Sequence, residues 1–379
     1  MNDVKNRIVK QIQQNPATAM NWLLVLACIP LVWRITYPLL PASITEPYAY
    51  WDPSLLNTAV DNRLPRWRNM GYWDNTTDFT AANEALARRL LTFADAKTTG
   101  NTLDMAHGEG ESLLIHLKTG PPNRLDALTS LASETHASQI LVGHWQEDYK
   151  DKTDVTWFTM SASYRANKDF DHPLNPMRGF TGSKRGGESE PEPEAGDVYR
   201  DAAEDQVIFD DADFVGEGDE NIEAEHPAQA SQAPEPYDLV YVLDAAYHFP
   251  PGIGYFAASV LPVLRPGSGV LAYTDVVPPP SFSKWPLSLV TGWVAPVAHL
   301  PNRNLNARPK TIEAYAEMLE KLGYVDVKIE DWSSHVFPGL SANLQNRGLF
   351  WTGVAQTVKY AHRFGWKFLA VRGVRPDKA

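Results

Sequence analysis

The pattern of hydrophobic positions becomes regular from residue 79 onward. Apolar side chains recur at helical spacing over residues 79–91, which is typical of an amphipathic helix. Residues 101–106 are then predicted to form a short strand, Gly108 and Gly110 follow at once, and an apolar helical stretch extends through Leu117. This order predicts a helix, a strand, a glycine-containing turn and another helix.

The rest of the chain repeats this alternation of strands and helices. Further strands are predicted at residues 124–131, 206–209, 237–242, 269–276, 325–332 and 366–371, and further helices at 134–148, 257–261, 310–322 and 340–362. Residues 237–242 are almost continuously apolar, as in a strand that is buried on both faces of a parallel sheet. The alternation predicts an α/β fold with a doubly wound, seven-stranded, mostly parallel sheet covered by helices on both faces.

Two stretches interrupt this pattern, at about residues 169–203 and 213–236. They are rich in Pro, Gly and Glu and poor in apolar residues, so we expect disordered insertions there. Much of the formal net charge of -12 lies in or near them. An acidic chain lacks the basic surface that neutralises phosphates, which argues against a nucleic acid as partner.

An uncharged apolar run at residues 22–33 marks the N-terminal part of the chain. A helix that spans a bilayer needs roughly 20 apolar residues, whereas this run is shorter and contains Pro30. We expect residues 1–60 to form an extension whose helix either packs on the globular body or attaches to a membrane surface through residues 20–40. A cleaved signal peptide is the third alternative.

The single cysteine, Cys28, bears on metal binding and on location. One cysteine can form neither an intrachain disulfide nor a cysteine-built metal cluster, so we expect no metal site and an intracellular, reducing location. Attachment to a membrane remains one of the alternatives for that location.

Candidate chemistry is concentrated at the end of the first predicted strand, in the segment from Asp104 to Gly110 (DMAHGEG). Glycine lets a turn become tight enough for a ligand to approach the backbone. The N-terminus of the following helix presents unpaired N–H groups that can hold a carboxylate, and a nearby acidic residue can bind an ammonium. An ordinary strand-to-helix turn of another doubly wound protein would look the same.

This segment resembles the first motif of class I S-adenosylmethionine-dependent methyltransferases, acidic-x-Gly-x-Gly-x-Gly, with Ala106 in place of the first glycine. That departure is mild if Ala106 has a negative φ. Residues 237–249 resemble the family's fourth strand and the loop after it, and residues 265–275 resemble the turn and strand that follow. Residues 68–73 are similar to a segment that closes over the cofactor in tocopherol, sterol, phosphoethanolamine and cyclopropane-forming methyltransferases.

The resemblance implies a methyltransferase domain over residues 61–379 and S-adenosylmethionine as the cofactor. The cofactor contacts that it implies are Tyr72, Trp73, Asp104, Ala106, His107, Gly108, Gly110, Ser130, Asp211, Ala212, Asp244 and Ala245. In this assignment Asp211 ends the third strand and faces the adenine, although solvated carboxylates beside an acidic loop would give the same sequence. The second strand lacks the acidic residue that usually binds the ribose, and Glu134 can replace it only if the turn is short. Tyr72 and Trp73 could equally be a hydrophobic plug on the core.

The acceptor implied by this branch of the family is a small or lipid-like molecule. Methyl transfer mainly requires that donor and acceptor are oriented and, for some acceptors, that a proton is removed. His248 is the candidate base, since the pKa of a histidine lies near neutrality. Tyr247 and Asp244 are the alternates, although Asp244 is expected to hold the methionine or adenosine portion of the cofactor rather than to act on the acceptor. A histidine with only local hydrogen bonds would explain His248 as well. The apolar residues 278–300 are expected to cap a hydrophobic acceptor pocket.

Two other functions remain for comparison. A non-catalytic interaction protein could keep this fold and lose cofactor binding, as Ala106 and the absent ribose acid suggest. A nicotinamide-dependent oxidoreductase is disfavoured, because the glycines have the wrong spacing and no acidic residue ends the second strand.

Overall fold

A seven-stranded sheet organises the part of the chain that the computed structural model describes, namely residues 53–149, 151–166, 168–178, 235–280 and 309–377. The strands are β1 (Asn101–Met105), β2 (Arg124–Thr129), β3 (Asp154–Thr159), β4 (Leu239–Val242), β5 (Val270–Val277), β6 (Val325–Asp331) and β7 (Lys367–Val374). The helices are α1 (Phe79–Ala94), α2 (Glu111–Thr119), α3 (Ala132–Gly143), α4 (Gln146–Tyr149), α5 (Ile253–Val260), α6 (Ile312–Lys321), α7 (Ser333–Leu344) and α8 (Leu349–Arg363).

The order of strands across the sheet is β3-β2-β1-β4-β5-β7-β6. Strands β1 to β5 pair in parallel, whereas β7 runs antiparallel to both β5 and β6. The predicted α/β fold with a mostly parallel, seven-stranded sheet is therefore confirmed. From β1 the chain winds outward to β3, and from β4 it winds the other way. The switch point lies between β1 and β4, and ligands of such sheets bind outside the carboxyl ends of the strands there.

Successive side chains of the central strands enter separate cores on the two faces of the sheet. In β4, Leu239 and Tyr241 belong to the core that packs against α1, α7 and α8. The intervening Val240 and Val242 belong to the core that packs against α5 and α6. All residues of β4 and β5 are buried, and both strands are predominantly apolar, with Thr274 and Asp275 of β5 as the exceptions.

All the elements named above belong to one compact unit, which among the described residues comprises 53–176 and 235–377. The first residues of the predicted insertion at 169–203 also belong to it, and His172 and Leu174 are buried. Apart from residues 169–178, 235 and 236, both predicted insertions lie outside the described residues, as do residues 1–52 of the predicted extension at 1–60.

The third strand is not where the sequence pattern predicts it. Residues 154–159 form β3, which pairs with β2 over six residues, so the assignment to residues 206–209 is wrong. As the edge strand, β3 is only partly buried and contains polar residues, which weakens its hydrophobic signal. Asp211 and Ala212 therefore do not follow the third strand, and both lie outside the described residues.

Some helix boundaries also differ from the prediction. The single helix predicted at 340–362 is two helices, α7 and α8, separated by the turn at 345–348. The helix predicted at 134–148 begins at Ala132 and ends at Gly143, before the short α4. The early start of α3 shortens the turn after β2, which brings Glu134 close to the end of that strand.

The predicted location, intracellular with a membrane attachment, needs correction. No helix in the described part of the chain combines the length and the apolar character needed to cross a bilayer. Residues 20–40, on which the prediction of attachment depends, lie outside the described residues.

Candidate functional site

The turn after β1 alternates left-handed and ordinary backbone conformations. Ala106, Gly108 and Gly110 have φ values of 59°, 56° and 99°. Gly110 caps α2 and packs so closely on α3 that an added Cβ would lie 2.8 Å from Ser138 Cβ. At Gly108 an added Cβ would meet no described atom within 4 Å. The two glycines therefore serve different purposes, helix packing at Gly110 and open space at Gly108.

The positive φ of Ala106 overturns the expectation that alanine is harmless at this position. A left-handed conformation costs an L-residue about 1–2 kcal/mol, because Cβ approaches the following carbonyl. Strain of this kind persists where the surrounding structure fixes the backbone. Here the Ala106 N–H donates to the carbonyl of Leu128 at 2.6 Å, which ties the turn to the end of β2.

We therefore expect Ala106→Gly to raise the free energy of unfolding by up to about 1 kcal/mol, because relief of strain exceeds the added freedom of the unfolded chain. The matched control is Ala245→Gly, at φ -140° in the loop after β4. It relieves no strain and should destabilise the protein. Urea unfolding of the three proteins measures both changes, and a loss of stability in Ala106→Gly would contradict the account.

A cavity of about 370 Å³ opens at the carboxyl ends of the central strands. Its walls are the turn after β1, the loops after β2, β3 and β4, and the segment 66–69 that precedes α1. Of the predicted site residues, those that line it are Ala106, His107, Gly108, Ser130, Asp244, Ala245, Tyr247 and His248. The cavity lies where the topology places the switch point, between β1 and β4 and extending over β2 and β3.

Residues 63–70, hereafter the arginine strap, are held to the turn after β1 by ion pairs. Arg63 makes a two-pronged pair with Glu111, whose carboxylate also accepts from the Arg66 backbone N–H at 2.9 Å. Arg66 and Arg68 both pair with Glu109, at 2.6 and 2.5 Å. Glu109 and Glu111 are almost fully buried next to the N-terminus of α2, a position that favours negative charge.

Glu134 supplies a carboxylate at the end of β2. Its Oε2 accepts from the Thr129 hydroxyl at 2.5 Å, and its Oε1 pairs with Arg68 at 3.1 Å. Only Ser130 and Leu131 separate β2 from α3. The turn is therefore short enough for Glu134 to take the place of the ribose-binding acidic residue that β2 lacks. The carboxylate lines the cavity and is fixed on two sides.

His107 contributes a polar group to the cavity floor. It is 6% exposed, and neither of its ring nitrogens has a hydrogen-bond partner among the described residues. Burial lowers the pKa of His107, and the Asp104 carboxylate opposes that shift. The neutral imidazole is therefore a buried donor and acceptor that faces the cavity.

Asp104 lies beneath this floor and does not line the cavity. It is fully buried, and its Oδ2 lies 3.5 Å from Nε2 of His116 on α2. Gly110 is likewise outside the lining, because it packs on α3. Both residues shape the turn from below.

The loop after β4 brings Asp244, Tyr247 and His248 to the cavity. The Asp244 carboxylate accepts from the Met70 N–H at 2.5 Å and from the Tyr247 hydroxyl at 3.0 Å. Burial raises the pKa of Asp244 to about 7, although both hydrogen bonds act in the opposite direction. The ring of the half-buried His248 lies 4.3 Å from that of Tyr247. A carboxylate, a phenol and an imidazole thus share one wall.

Tyr72 and Trp73 lie away from the cavity. Tyr72 stacks on His335 of α7, with ring centroids 4.8 Å apart. Trp73 is buried in the core and donates from Nε1 to the Met70 carbonyl at 2.7 Å. Tyr72 and Trp73 therefore hold the C-terminal end of the arginine strap. Residues 66–69 of the strap line the cavity, and Tyr72 and Trp73 do not.

Sequence reasoning missed several lining residues. Among them are Arg66, Trp67 and Asn69 of the strap, and Ser161 and Ala162 after β3. The sequence has arginines at 63, 66 and 68 and glutamates at 109 and 111, and this charge pattern could have predicted ion pairs between the two segments. Ser161 and Ala162 could not be found once β3 was placed elsewhere.

Searches for similar proteins find matches among solved structures. The cyclopropane synthase MmaA2 from Mycobacterium tuberculosis matches with a TM-score of 0.52 and 13% identity, over 86% of this chain and 95% of that chain. Geranyl diphosphate C-methyltransferase from Streptomyces coelicolor A3(2) gives 0.47 and 12%, over 79% of each chain. The cyclase SpnF gives 0.45 and 16%, over 92% and 96%. No family model and no curated protein matches the sequence.

The sheet order and the antiparallel β7 agree with the fold implied by the first motif and by the segments around the fourth and fifth strands. The match to MmaA2 supports the same conclusion at the level of the fold. This protein has the Rossmann-like fold of class I S-adenosylmethionine-dependent methyltransferases.

Proposed function

We propose that the cavity binds S-adenosylmethionine and that the protein transfers its methyl group to a small-molecule or lipid-like acceptor. One observation carries the proposal. A single cavity of about 370 Å³ brings together His107 after β1, Glu134 after β2 and Asp244 after β4. Its volume lies in the range of small-molecule sites, roughly 300–1,000 Å³.

The polar groups along this cavity match the parts of the cofactor. The N-terminus of α2, with His107 and the buried Ser112, suits the amino-acid end, because these groups can donate hydrogen bonds to a carboxylate. Glu134 suits the ribose hydroxyls. Ser161 and Ala162 after β3 leave an uncharged wall for the adenine, in the role first assigned to Asp211 and Ala212.

The wall after β4 is the expected place of methyl transfer. Bound S-adenosylmethionine supplies an electrophilic methyl group on a sulfonium. His248 lines the cavity and is the base in this proposal, with Tyr247 as the alternate. A hydroxyl or acidic carbon needs such a group to take its proton as the new bond forms.

Apolar residues support a hydrophobic acceptor. Trp67, Leu243 and Phe249 line the cavity beside Tyr247 and His248. A cavity wall of this kind stabilises a bound apolar group by removing it from water. The segment 278–300, predicted to cap the acceptor, lies outside the described residues from 281 onward.

Calorimetry with S-adenosylmethionine tests the proposal directly. We expect wild-type protein to bind in the micromolar range and Gly108→Val to bind at least about tenfold more weakly, since the new side chain enters the open space of the cavity. Gly348→Val is the control, because an added Cβ at Gly348 also meets no described atom within 4 Å. Its φ of 103°, against 56° at Gly108, makes it the more strained variant, so its folding is checked by circular dichroism.

Gly348 lies before α8, outside the cavity lining, and its replacement should leave binding unchanged. If wild-type protein with a normal circular dichroism spectrum binds no S-adenosylmethionine, the non-catalytic alternative is favoured instead.

A further inference from the structure

Asp244 differs from the other carboxylates that line the cavity. Each of the glutamates at 109, 111 and 134 is paired with an arginine of the strap. The hydrogen bonds found for the Asp244 carboxylate come instead from two neutral donors, the Met70 N–H and the Tyr247 hydroxyl. Among the described residues no Lys or Arg forms an ion pair with it.

The structure holds this carboxylate in a fixed position. The backbone N–H of Asp244 donates to the Thr274 hydroxyl at 2.7 Å, and Asn69 donates to the neighbouring Leu243 carbonyl at 3.3 Å. Asp244 has a φ of 53°, a left-handed conformation that is uncommon outside glycine. Contacts from the strap, β5 and the loop after β4 together maintain that conformation, as is frequent at ligand sites.

An ionised carboxylate in this position lacks compensation. Asp244 is 7% exposed, and burial of a charge is costly unless an opposite charge is paired with it. The raised pKa of Asp244 is the expected response to that burial. A cation inside the cavity would remove the cost, because it would pair with a carboxylate that is already oriented.

We infer that Asp244 is the counter-ion of a cationic group of the bound ligand. The inference rests on the proposed function and deepens it. Two sources of such a group fit the chemistry, namely the sulfonium and ammonium end of the cofactor, or an ammonium carried by the acceptor. The two neutral donors orient the carboxylate but do not neutralise its charge. The compensating positive charge would therefore come from the ligand.

Probes that differ in charge can separate the two sources. S-adenosylmethionine carries a sulfonium and an ammonium, S-adenosylhomocysteine only the ammonium, and 5′-methylthioadenosine neither. Tetramethylammonium and tert-butanol are a charged and an uncharged probe of similar shape for the acceptor side. They would be titrated calorimetrically into the unloaded protein and into the protein saturated with S-adenosylhomocysteine.

The variant is Asp244→Asn, and Asp275→Asn is its matched control. Asp275 is fully buried and also accepts from a tyrosine hydroxyl and a backbone N–H, those of Tyr315 and Val276, but it does not line the cavity. The control therefore reports the effect of removing a buried carboxylate as such. Circular dichroism confirms that both variants are folded.

A cofactor cation at Asp244 predicts that Asp244→Asn weakens S-adenosylmethionine binding at least about tenfold and leaves 5′-methylthioadenosine unchanged. A cation on the acceptor predicts that Asp244→Asn binds the nucleosides as tightly as the wild type does. The variant should then lose the binding of tetramethylammonium but keep that of tert-butanol. Either result supports the inference, provided that Asp275→Asn shows neither.

The inference is overturned if Asp244→Asn weakens all probes by the same factor or changes none of them. If wild-type protein binds none of the nucleosides, the proposed function is wrong. In that case the titration of the unloaded protein with tetramethylammonium still tests whether Asp244 binds a cation. Failure of the proposed function and failure of the inference on Asp244 are therefore distinguishable.

Discussion

Replacement of Gly110 by alanine is expected to lower the free energy of unfolding by roughly 3 kcal/mol or more. Two costs add at this position. The φ of 99° lies outside the left-handed region that non-glycine residues tolerate. The added Cβ would also lie 2.8 Å from Ser138 Cβ and 3.0 Å from Ser138 Cα, so α3 would have to move away from the turn. Neither contact atom belongs to the flexible end of a side chain.

Gly108→Ala provides the comparison within the same turn. Gly108 has a φ of 56°, and an added Cβ meets no described atom within 4 Å, so the stability cost should be only about 1 kcal/mol. Urea unfolding of both variants measures the difference. Equal losses would contradict the assignment of Gly110 to helix packing. A Gly108→Ala variant that is stable but binds ligand weakly would agree with open cavity space at that position.

The sequence was sufficient to predict the central sheet, because the buried strands carry a strong hydrophobic signal. Residues 237–242 and 269–276 are predominantly apolar, and both strands, β4 and β5, are buried on both faces. The edge strand β3 has only one partner strand and a mixed composition, so its signal was weaker than that of a short apolar run at 206–209. Edge strands are the elements for which periodicity is least informative.

The candidate site could be predicted only in part, for a related reason. His107, Asp244 and His248 follow strands that the pattern identifies, so topology alone places them at one edge of the sheet. The pairing of Glu134 with Arg68 joins residues that are far apart in the chain, and no local periodicity reports such a contact. The left-handed conformation of Ala106 depends on a hydrogen bond to Leu128 on the next strand, which is likewise a tertiary effect.

The second prediction with a large effect concerns pH. Burial raises the pKa of Asp244 from 3.8 to about 7, so the folded protein holds this proton more tightly than the unfolded chain does. For a raised carboxyl pKa, the stability contribution is complete below the unfolded value and is lost as the pH rises through the window from 3.8 to about 7. A difference of this size corresponds to about 4 kcal/mol as an upper estimate.

Other titrating groups affect the same curve, so the comparison must be made against Asp244→Asn. The pKa values of Asp238 and Asp331 are lowered, by hydrogen bonds from Arg265 and from Ser333 that outweigh the effect of burial, and these groups lose their stabilising contribution as the pH falls. They act equally in both proteins. The titratable groups that share the cavity lining are Arg66, Arg68, His107, Glu109, Glu111, Glu134, Tyr247 and His248.

We expect wild-type protein to lose stability relative to Asp244→Asn between pH 4 and pH 7 by up to about 4 kcal/mol, and the two curves to run parallel above pH 8. Urea midpoints at half-unit pH steps measure this difference, and parallel curves throughout would show that Asp244 ionises normally in the folded state. A cation in the cavity favours the ionised carboxylate. If that cation belongs to the cofactor, the rise in melting temperature produced by S-adenosylmethionine should increase from pH 6 to pH 8 in the wild type and stay constant in Asp244→Asn. The group that weakens the empty protein at neutral pH is thus the one that a cationic ligand would stabilise.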